Sequence, residues 1–356
     1  MKFVHIADMH FDTSFNQIND CNLGNKRRLE QRKAFKKIIE YIKENDVDYL
    51  FIAGDFYEQK YIKESTIKYI NSLFQEIPNT KIFITPGNHD PLIKNSFYNR
   101  YKWNYNVHIF GSKITCVKDG DVNIWGYGFD DFYYTNPEID SFELQDLSKT
   151  NILITHASLD GSNNVERQYN AVSKHVLEKI GFDYVALGHI HKSNYNESER
   201  IVYPGSTISM GFDELGSHGM VVGEIVDKRL TTRFIPLDEG EFKIVNFDVS
   251  EADSIETIAS QLNDLMLDDN NFYEIYLVGN RNFEIDLYSL KKLVVINNII
   301  KVKDETKLAI NLDEISKDNT LKGLFVREIL SRMNDENYDK ETLEKALEIG
   351  LEILEK

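Results

Sequence analysis

The sequence predicts an α/β fold followed by a smaller α+β domain and terminal helices. Three observations carry this. Short apolar, β-rich runs alternate with segments of helical periodicity through the first two-thirds of the chain. The runs Tyr49–Ala53 and Lys81–Thr85 enclose one helical segment, the pattern of a βαβ crossover and hence of parallel pairing. Beyond Gly205 the texture changes to a hairpin, then to a mixed segment that ends in two amphipathic stretches.

In order, Lys2–Ala7 is a strand ending in polar residues. Lys26–Asn45 is a helix, because Phe35, Ile38, Ile39 and Ile42 recur at helical spacing while Lys33, Lys36, Lys37 and Lys43 fall off that stripe. Ile67, Ile70, Leu73 and Phe74 mark the helix of the βαβ unit. Strands are expected at Asn123–Gly126, Ile152–Thr155 and Tyr184–Leu187, with a helix Val172–Ile180 stopped by Gly181. Met220–Val226 and Leu230–Ile235, joined around Asp227-Lys228, form an antiparallel hairpin at the sheet edge. A boundary after Pro236 gives a first domain of 1–238. An α+β domain, 239–335, follows, with strands Phe242–Val249, Phe272–Val278 and Val294–Val302 and helices Ile255–Met266 and Thr320–Met333. The terminal piece, 336–356, carries the helix Lys340–Leu354. Its Leu343, Ala346, Leu347, Leu351 and Leu354 share one face, flanked by Glu344, Glu348, Glu352 and Glu355. That face must be covered, by the second domain or by a partner's groove.

At 356 residues, 42% of them hydrophobic, the chain is long enough for about two domains, each with a real core. Two cysteines, Cys21 and Cys116, imply no disulfide framework and fit a reducing compartment. Apolar runs such as Leu50–Ala53 are too short for a bilayer, so no membrane association is expected. The first apolar run, Phe3–Ala7, leads directly into Asp8 and His10, and removing it as a signal would remove both. The expected location is the cytoplasm. A net charge of −17 is opposite to that of a protein binding nucleic acid unaided, so such binding needs locally placed cations or a partner that supplies them.

Polar clusters stand where the buried strands stop: Asp8 and His10, Gly54-Asp55, Gly87-Asn88-His89-Asp90, His156, and Gly188-His189-Ile190-His191. Ligands gather at strand carboxyl ends in open α/β sheets, so these segments can converge on one pocket. Residues two apart in extended chain point the same way, which lets Asp8 and His10 grip one ion and His189 and His191 face one site. The glycines give the backbone room to bend beside a metal. A lone His at a strand end is usually structural, but five of the nine histidines fall in this ordered series. Mixed imidazole and carboxylate donors suit manganese, iron, zinc or cobalt better than calcium.

This series resembles the calcineurin-like metallophosphoesterase superfamily. Within it, "FVHIADMHFD", "ITPGNHD" and "VALGHIHKS" resemble the SbcD and YhaO type of bacterial DNA repair exonuclease, over about residues 1–215. The resemblance implies a two-sheet sandwich flanked by helices, with the smaller C-terminal domain as a cap. It implies two divalent metal ions, manganese foremost. Asp8, His10, Asp55 and His191 would hold one; Asp55, Asn88, His156 and His189 the other, with Asp55 bridging. His89 would be a catalyst at the scissile phosphate rather than a ligand, oriented by Asp90. Nucleases of this type often have His or Asp three residues after the bridging aspartate, where this chain has Glu58.

Candidate DNA contacts are Arg27 and Arg28, Arg100 and Lys102, and Arg167 and Tyr169. The first group reads more readily as a solvated helix face, and Arg100-Tyr101-Lys102-Trp103 mixes cations with aromatics as strand-binding edges do. His5 and His175 read as structural, and His108 and His218 as having no catalytic part. The expected activity is that of a two-metal DNA nuclease subunit in repair, of exonuclease type. The resemblance implies an SMC-like ATPase as partner, with a homodimer as a further assembly. The alternatives are a phosphodiesterase or phosphatase acting on a nucleotide or phosphoprotein, or a scaffold anchoring an ATPase.

Overall fold

In a computed structural model, residues 1–356 are described except 16–20, 134–137, 161–168, 309–311, 334, 336 and 355–356. The chain begins β1 (Lys2–Ile6), α1 (Cys21–Glu44), β2 (Tyr49–Ala53), α2 (Glu64–Gln75), β3 (Lys81–Thr85), α3 (Phe97–Arg100), β4 (Val107–Ile109), β5 (Thr115–Asp119) and β6 (Val122–Tyr127). It continues β7 (Thr150–His156), β8 (Ser158–Leu159), β9 (Ala171–Val172), α4 (Lys174–Ile180), β10 (Tyr184–Gly188), β11 (Ile201–Val202), β12 (Gly219–Val226) and β13 (Arg229–Pro236). Then come β14 (Phe242–Asp248), α5 (Ile255–Asn263), β15 (Phe272–Val278), β16 (Asn280–Arg281), α6 (Leu287–Leu293), β17 (Ile299–Asp304), β18 (Lys307–Leu308), α7 (Leu312–Ile315), α8 (Leu321–Met333) and α9 (Lys340–Leu354).

Two sheets form the sandwich. One runs β13-β12-β1-β2-β3-β4, parallel from β1 to β4, with the β12–β13 hairpin added antiparallel. The other runs β11-β10-β7-β6-β5, with only β5 antiparallel. Strand alternation divides the side chains between two cores. Phe3, Tyr49, Phe51 and Phe83 pack between the sheets with Ile124, Ile152, Ile154 and Tyr184. Val4, Ile6, Leu50, Ile52, Ile82 and Ile84 face the other way, onto Phe35, Ile38, Ile42, Ile67, Ile70 and Phe74 of α1 and α2. The second sheet buries Leu153, Val185 and Leu187 against Leu177 of α4. Strands covered on both faces read as unbroken apolar runs, which is why they stand out in the sequence.

Local details follow from residue chemistry. Asp227 and Lys228, at φ 49° and 66°, make the two-residue turn whose twist suits a hairpin. Gly181, at φ 82°, closes α4 in the left-handed region. The helix expected from Val172 begins instead at Lys174, because Ala171–Val172 pairs with Ser158–Leu159. The strand expected at Val294–Val302 is β17, Ile299–Asp304. It is preceded by α6, which the Asp286 side chain caps by accepting from the Tyr288 N–H.

The chain divides into two compact units, Met1–Ile244 with Leu267–Glu274 and Asn297–Lys301, and Val245–Met266 with Ile275–Ile296 and Val302–Lys356. In the second, Leu343, Leu347 and Leu351 of α9 are buried on Val326 and Ile329 of α8. Gly350 lets the helices close in, since a Cβ there would stand 2.1 Å from the Phe325 ring. Truncation after Asn337 strips this cover, so the second unit is expected to lose several kcal/mol, at about 2–5 kcal/mol for each lost buried leucine. Chemical unfolding of the full and truncated chains measures it; identical second-unit transitions would refute the packing account. Among the described residues, no helix is long and apolar enough to cross a membrane.

Candidate metal centre

The carboxyl ends of β1, β2, β3, β7 and β10 converge, and strain marks the convergence. Asp8, His10, Asp55 and His189 all have positive φ, at 50°, 47°, 49° and 102°, a conformation non-glycine residues adopt at a cost when the surroundings hold them there. Cross-bonds provide that hold. The Asp8 N–H donates to Gly54 O at 3.2 Å, the His10 N–H to Asp55 O at 2.9 Å, and the His189 N–H to the Asp8 carboxylate at 3.0 and 3.1 Å. Gly54 is obligatory: its φ is 83°, and a Cβ would lie 2.4 Å from His156 Nδ1.

Two groups of donors share Asp8. In one, Asp8, His10 and His191 bring ligand atoms within 4.8 Å of one another; in the other, Asp8, Asp55 and His156 do. His10 Nδ1–H donates to Glu58 at 2.8 Å and His191 Nδ1–H to Glu214 at 2.5 Å. That commits each Nδ1–H to a carboxylate, so the Nε2 atoms, facing each other at 3.1 Å, are the ones turned to the site and able to offer lone pairs to a metal. His156 Nδ1–H donates to Ala53 O at 2.9 Å, and its Nε2 faces Asn88 Oδ1 at 3.1 Å and Asp55 Oδ2 at 3.3 Å. The same Asp55 oxygen is 3.7 Å from His10 Nε2, so one carboxylate reaches both groups. Acceptors converging on acceptors repel unless a cation lies among them, so this donor set fits divalent metal. His189 lies with its ring 5.2 Å from that of His156.

Charge follows the geometry. Burial disfavours the ionised Asp55, yet His156, His10 and His89 hold its carboxyl well below the usual range. Burial likewise opposes charge on His156 and His191, but Asp55 and Asp8 beside the first, and Glu214 and Asp8 beside the second, push each up to about 9. His189, desolvated and next to His156, falls to about 3. The carboxylates therefore draw positive charge into the pocket, the same pull that retains a metal.

The residues around the centre depart from expectation in three places. Asp90 does not orient His89. Its buried carboxylate accepts from the N–H groups of Asp55 at 3.1 Å, Phe56 at 2.7 Å and Gly87 at 2.7 Å, and from the Tyr98 hydroxyl at 2.5 Å, which makes it the brace of two ligand loops. The His89 ring is held by Glu58 instead, at 3.0 Å. Burial opposes the charge on Glu58, but hydrogen bonds from His10 and His89 hold it down to about 2; the same bond and nearby Asp55 outweigh burial at His89, raising it to about 9. Glu214 is absent from the residues the sequence points to: it lies in the loop Gly211–Gly216, 23 residues after His191, and only that glycine-flanked acidic turn hints at it. His218 secures that loop, through Ser206 Oγ at 2.8 Å and Glu214 O at 2.8 Å.

Arg27 is not a DNA contact. It is fully buried, bonded to Glu30, Gly240 O and Ser209 O, and lies over the rings of Phe242 and Phe272. Arg28 is half-buried on Thr13 O and Asn25. Arg100 and Lys102 are exposed, but Trp103 beside them packs on Phe74 rather than standing free for stacking. Arg167 lies outside the described residues. Tyr169 faces His189 at 5.3 Å and lines an open cleft of about 370 Å³ beside Asn88 and His89, with Glu58, Lys60, Tyr61, Phe132 and Tyr133.

A family model described as calcineurin-like phosphoesterase matches residues 1–193, more than half the chain. The chain belongs to that family. Metallophosphoesterases of this kind use a dinuclear metal centre, for which the two groups sharing Asp8 are the candidate ligands. Among curated relatives, this phosphoesterase is 23% identical over 276 residues to the uncharacterized metallophosphoesterase YhaO of Bacillus subtilis, covering 74% of this chain and 67% of that one. It is 24% identical over 331 residues to the SbcD subunit of the nuclease SbcCD from Staphylococcus epidermidis, covering 82% and 83%. The corresponding subunit of Staphylococcus saprophyticus is 26% identical over 274 residues, covering 67% and 69%.

Proposed function

We propose that this phosphoesterase is a manganese-dependent DNA nuclease subunit, an exonuclease of cytoplasmic DNA repair working with an SMC-like ATPase. The observation that carries the nucleic-acid reading is the cleft beside His89. Tyr61, Phe132 and Tyr133 line it with 41%, 45% and 59% of their surface exposed, joined by Tyr169 and by the cation Lys60. Exposed aromatic faces at a phosphodiester-cleaving centre suit unstacked bases, each worth about 1–3 kcal/mol of stacking. The staphylococcal relatives, named as parts of a nuclease, support the same reading. On the second unit, Ile349 and Ile353 of α9 are 50% and 65% exposed, an apolar strip that suits a partner's groove and supports an ATPase partner.

When bound, the two ions would polarise the phosphodiester and activate water for in-line attack. The chain's own part is to hold them through Asp8, His10, Asp55, Asn88, His156, His189 and His191, to seat the base flanking the scissile bond on Tyr169 and Tyr133, and to protonate the leaving oxygen from His89. The test pairs single-stranded DNA with bis(p-nitrophenyl) phosphate. EDTA is expected to abolish both hydrolyses, and manganese to restore them better than magnesium, which favours all-oxygen octahedra. Cleavage that persists in EDTA would sink the metal assignment. Hydrolysis of the small diester without DNA cleavage would favour a nucleotide phosphodiesterase.

A further inference from the structure

Glu58 sits between the metal centre and the catalytic edge. Its Oε1 accepts from His10 Nδ1 at 2.8 Å and its Oε2 from His89 Nδ1 at 3.0 Å, and the two rings stand 4.8 Å apart and nearly perpendicular. The carboxylate has little freedom. The Glu58 N–H donates to Phe11 O at 3.0 Å, its carbonyl accepts from Tyr61 and Ile62 at 2.9 and 2.8 Å, and Gln59 N–H donates to His89 O at 2.9 Å. With its two oxygens in one plane, each serving one imidazole, a turn of the carboxylate that shifts one bond shifts the other as well. Aspartate would be a methylene short of this reach, and histidine would offer a single ring in place of two acceptors.

We propose that Glu58 is a positioning residue that ties His89 to the metal subsite of His10, holding the Nδ1–H of both rings on its carboxylate so that one Nε2 is turned toward the ion and the other toward the substrate. One carboxylate then makes metal retention and turnover depend on each other. The inference rests on the phosphoesterase reading of the site but not on DNA being the substrate.

Glu58→Gln tests it at constant shape, because an amide has one acceptor and can serve only one ring. The first readout is manganese retained per chain after dialysis, expected to weaken by about 10- to 100-fold at one subsite, as for other partners of ligating histidines. The second is the ring-nitrogen NMR signals of ¹⁵N-histidine protein loaded with zinc, where the His10 and His89 signals should both move. The third is turnover of thymidylyl-thymidine, a phosphodiester whose alkoxide leaving group needs the proton from His89, expected to fall at least tenfold in kcat with little change in KM. Glu58→Asp, which keeps the charge but not the reach, should behave like Glu58→Gln; full rescue would show that charge alone suffices and overturn positioning. Movement of only one ring signal, or unchanged metal retention, would overturn the coupling. His10, Glu58 and His89 also bring ligand atoms within 4.8 Å, so three ions per wild-type chain, falling to two in Glu58→Gln, would make Glu58 a ligand and end the proposal. An inactive wild-type chain would count against the proposed function, whereas the metal and ring readouts would still decide the role of Glu58.

Discussion

An Asp55→Asn protein is expected to retain its fold and lose both ions together. A single oxygen of the Asp55 carboxylate lies 3.3 Å from His156 Nε2 and 3.7 Å from His10 Nε2, so its charge faces both donor groups. Asparagine keeps the shape and leaves an oxygen to accept from the His89 N–H, a bond of 2.8 Å that shapes the loop. What it removes is the negative charge. Residues that merely support a ligand cost about 10- to 100-fold in metal affinity when replaced, so a shared ligand should cost on the order of 100-fold or more for each ion. Metal analysis after dialysis should therefore find neither ion, and phosphodiesterase activity should vanish with them. Normal retention of one ion would show that Asp55 serves a single subsite and that Asp8, which also belongs to both donor groups, does the bridging.

The candidate centre was legible because each candidate ligand stands at or just past the end of a doubly buried strand, and such strands announce themselves as apolar runs stopped by a polar residue. Tyr49–Ala53 followed by Gly54-Asp55 is the plainest case, and the structure places its strand at those bounds. What could not be read was anything set by chain reversal rather than by strand ends. Glu214 reaches His191 only because the loop after β11 folds back over the site. Asp90 adjoins His89 in sequence, which suggests an orienting role, but its side chain points into the protein at the N–H groups of Asp55, Phe56 and Gly87. Arg27 misleads for a related reason: helical periodicity reports which face is apolar, and a buried guanidinium satisfied by Glu30 and two backbone carbonyls looks in sequence like any exposed cation.

His89→Ala is expected to give the opposite phenotype to Asp55→Asn: both ions retained, turnover lost. The His89 ring is 45% exposed on its side-chain surface and borders the cleft, whereas the candidate ligand groups of Asp8 with His10 and His191, and of Asp8 with Asp55 and His156, do not include it. Its Nδ1–H is committed to Glu58, which leaves Nε2 to hand a proton to the leaving oxygen. The raised proton affinity of that ring, up to about 9 against the pull of burial, keeps it charged near neutral pH, as an acid catalyst requires. Removal of such a group costs on the order of 100-fold or more in kcat. The loss should shrink for bis(p-nitrophenyl) phosphate, whose nitrophenolate leaves without help, and stay large for DNA, whose alkoxide does not. That difference separates proton donation from simple damage to the site, which would slow both substrates alike. Loss of an ion from the His89→Ala protein would falsify the assignment and make His89 a ligand.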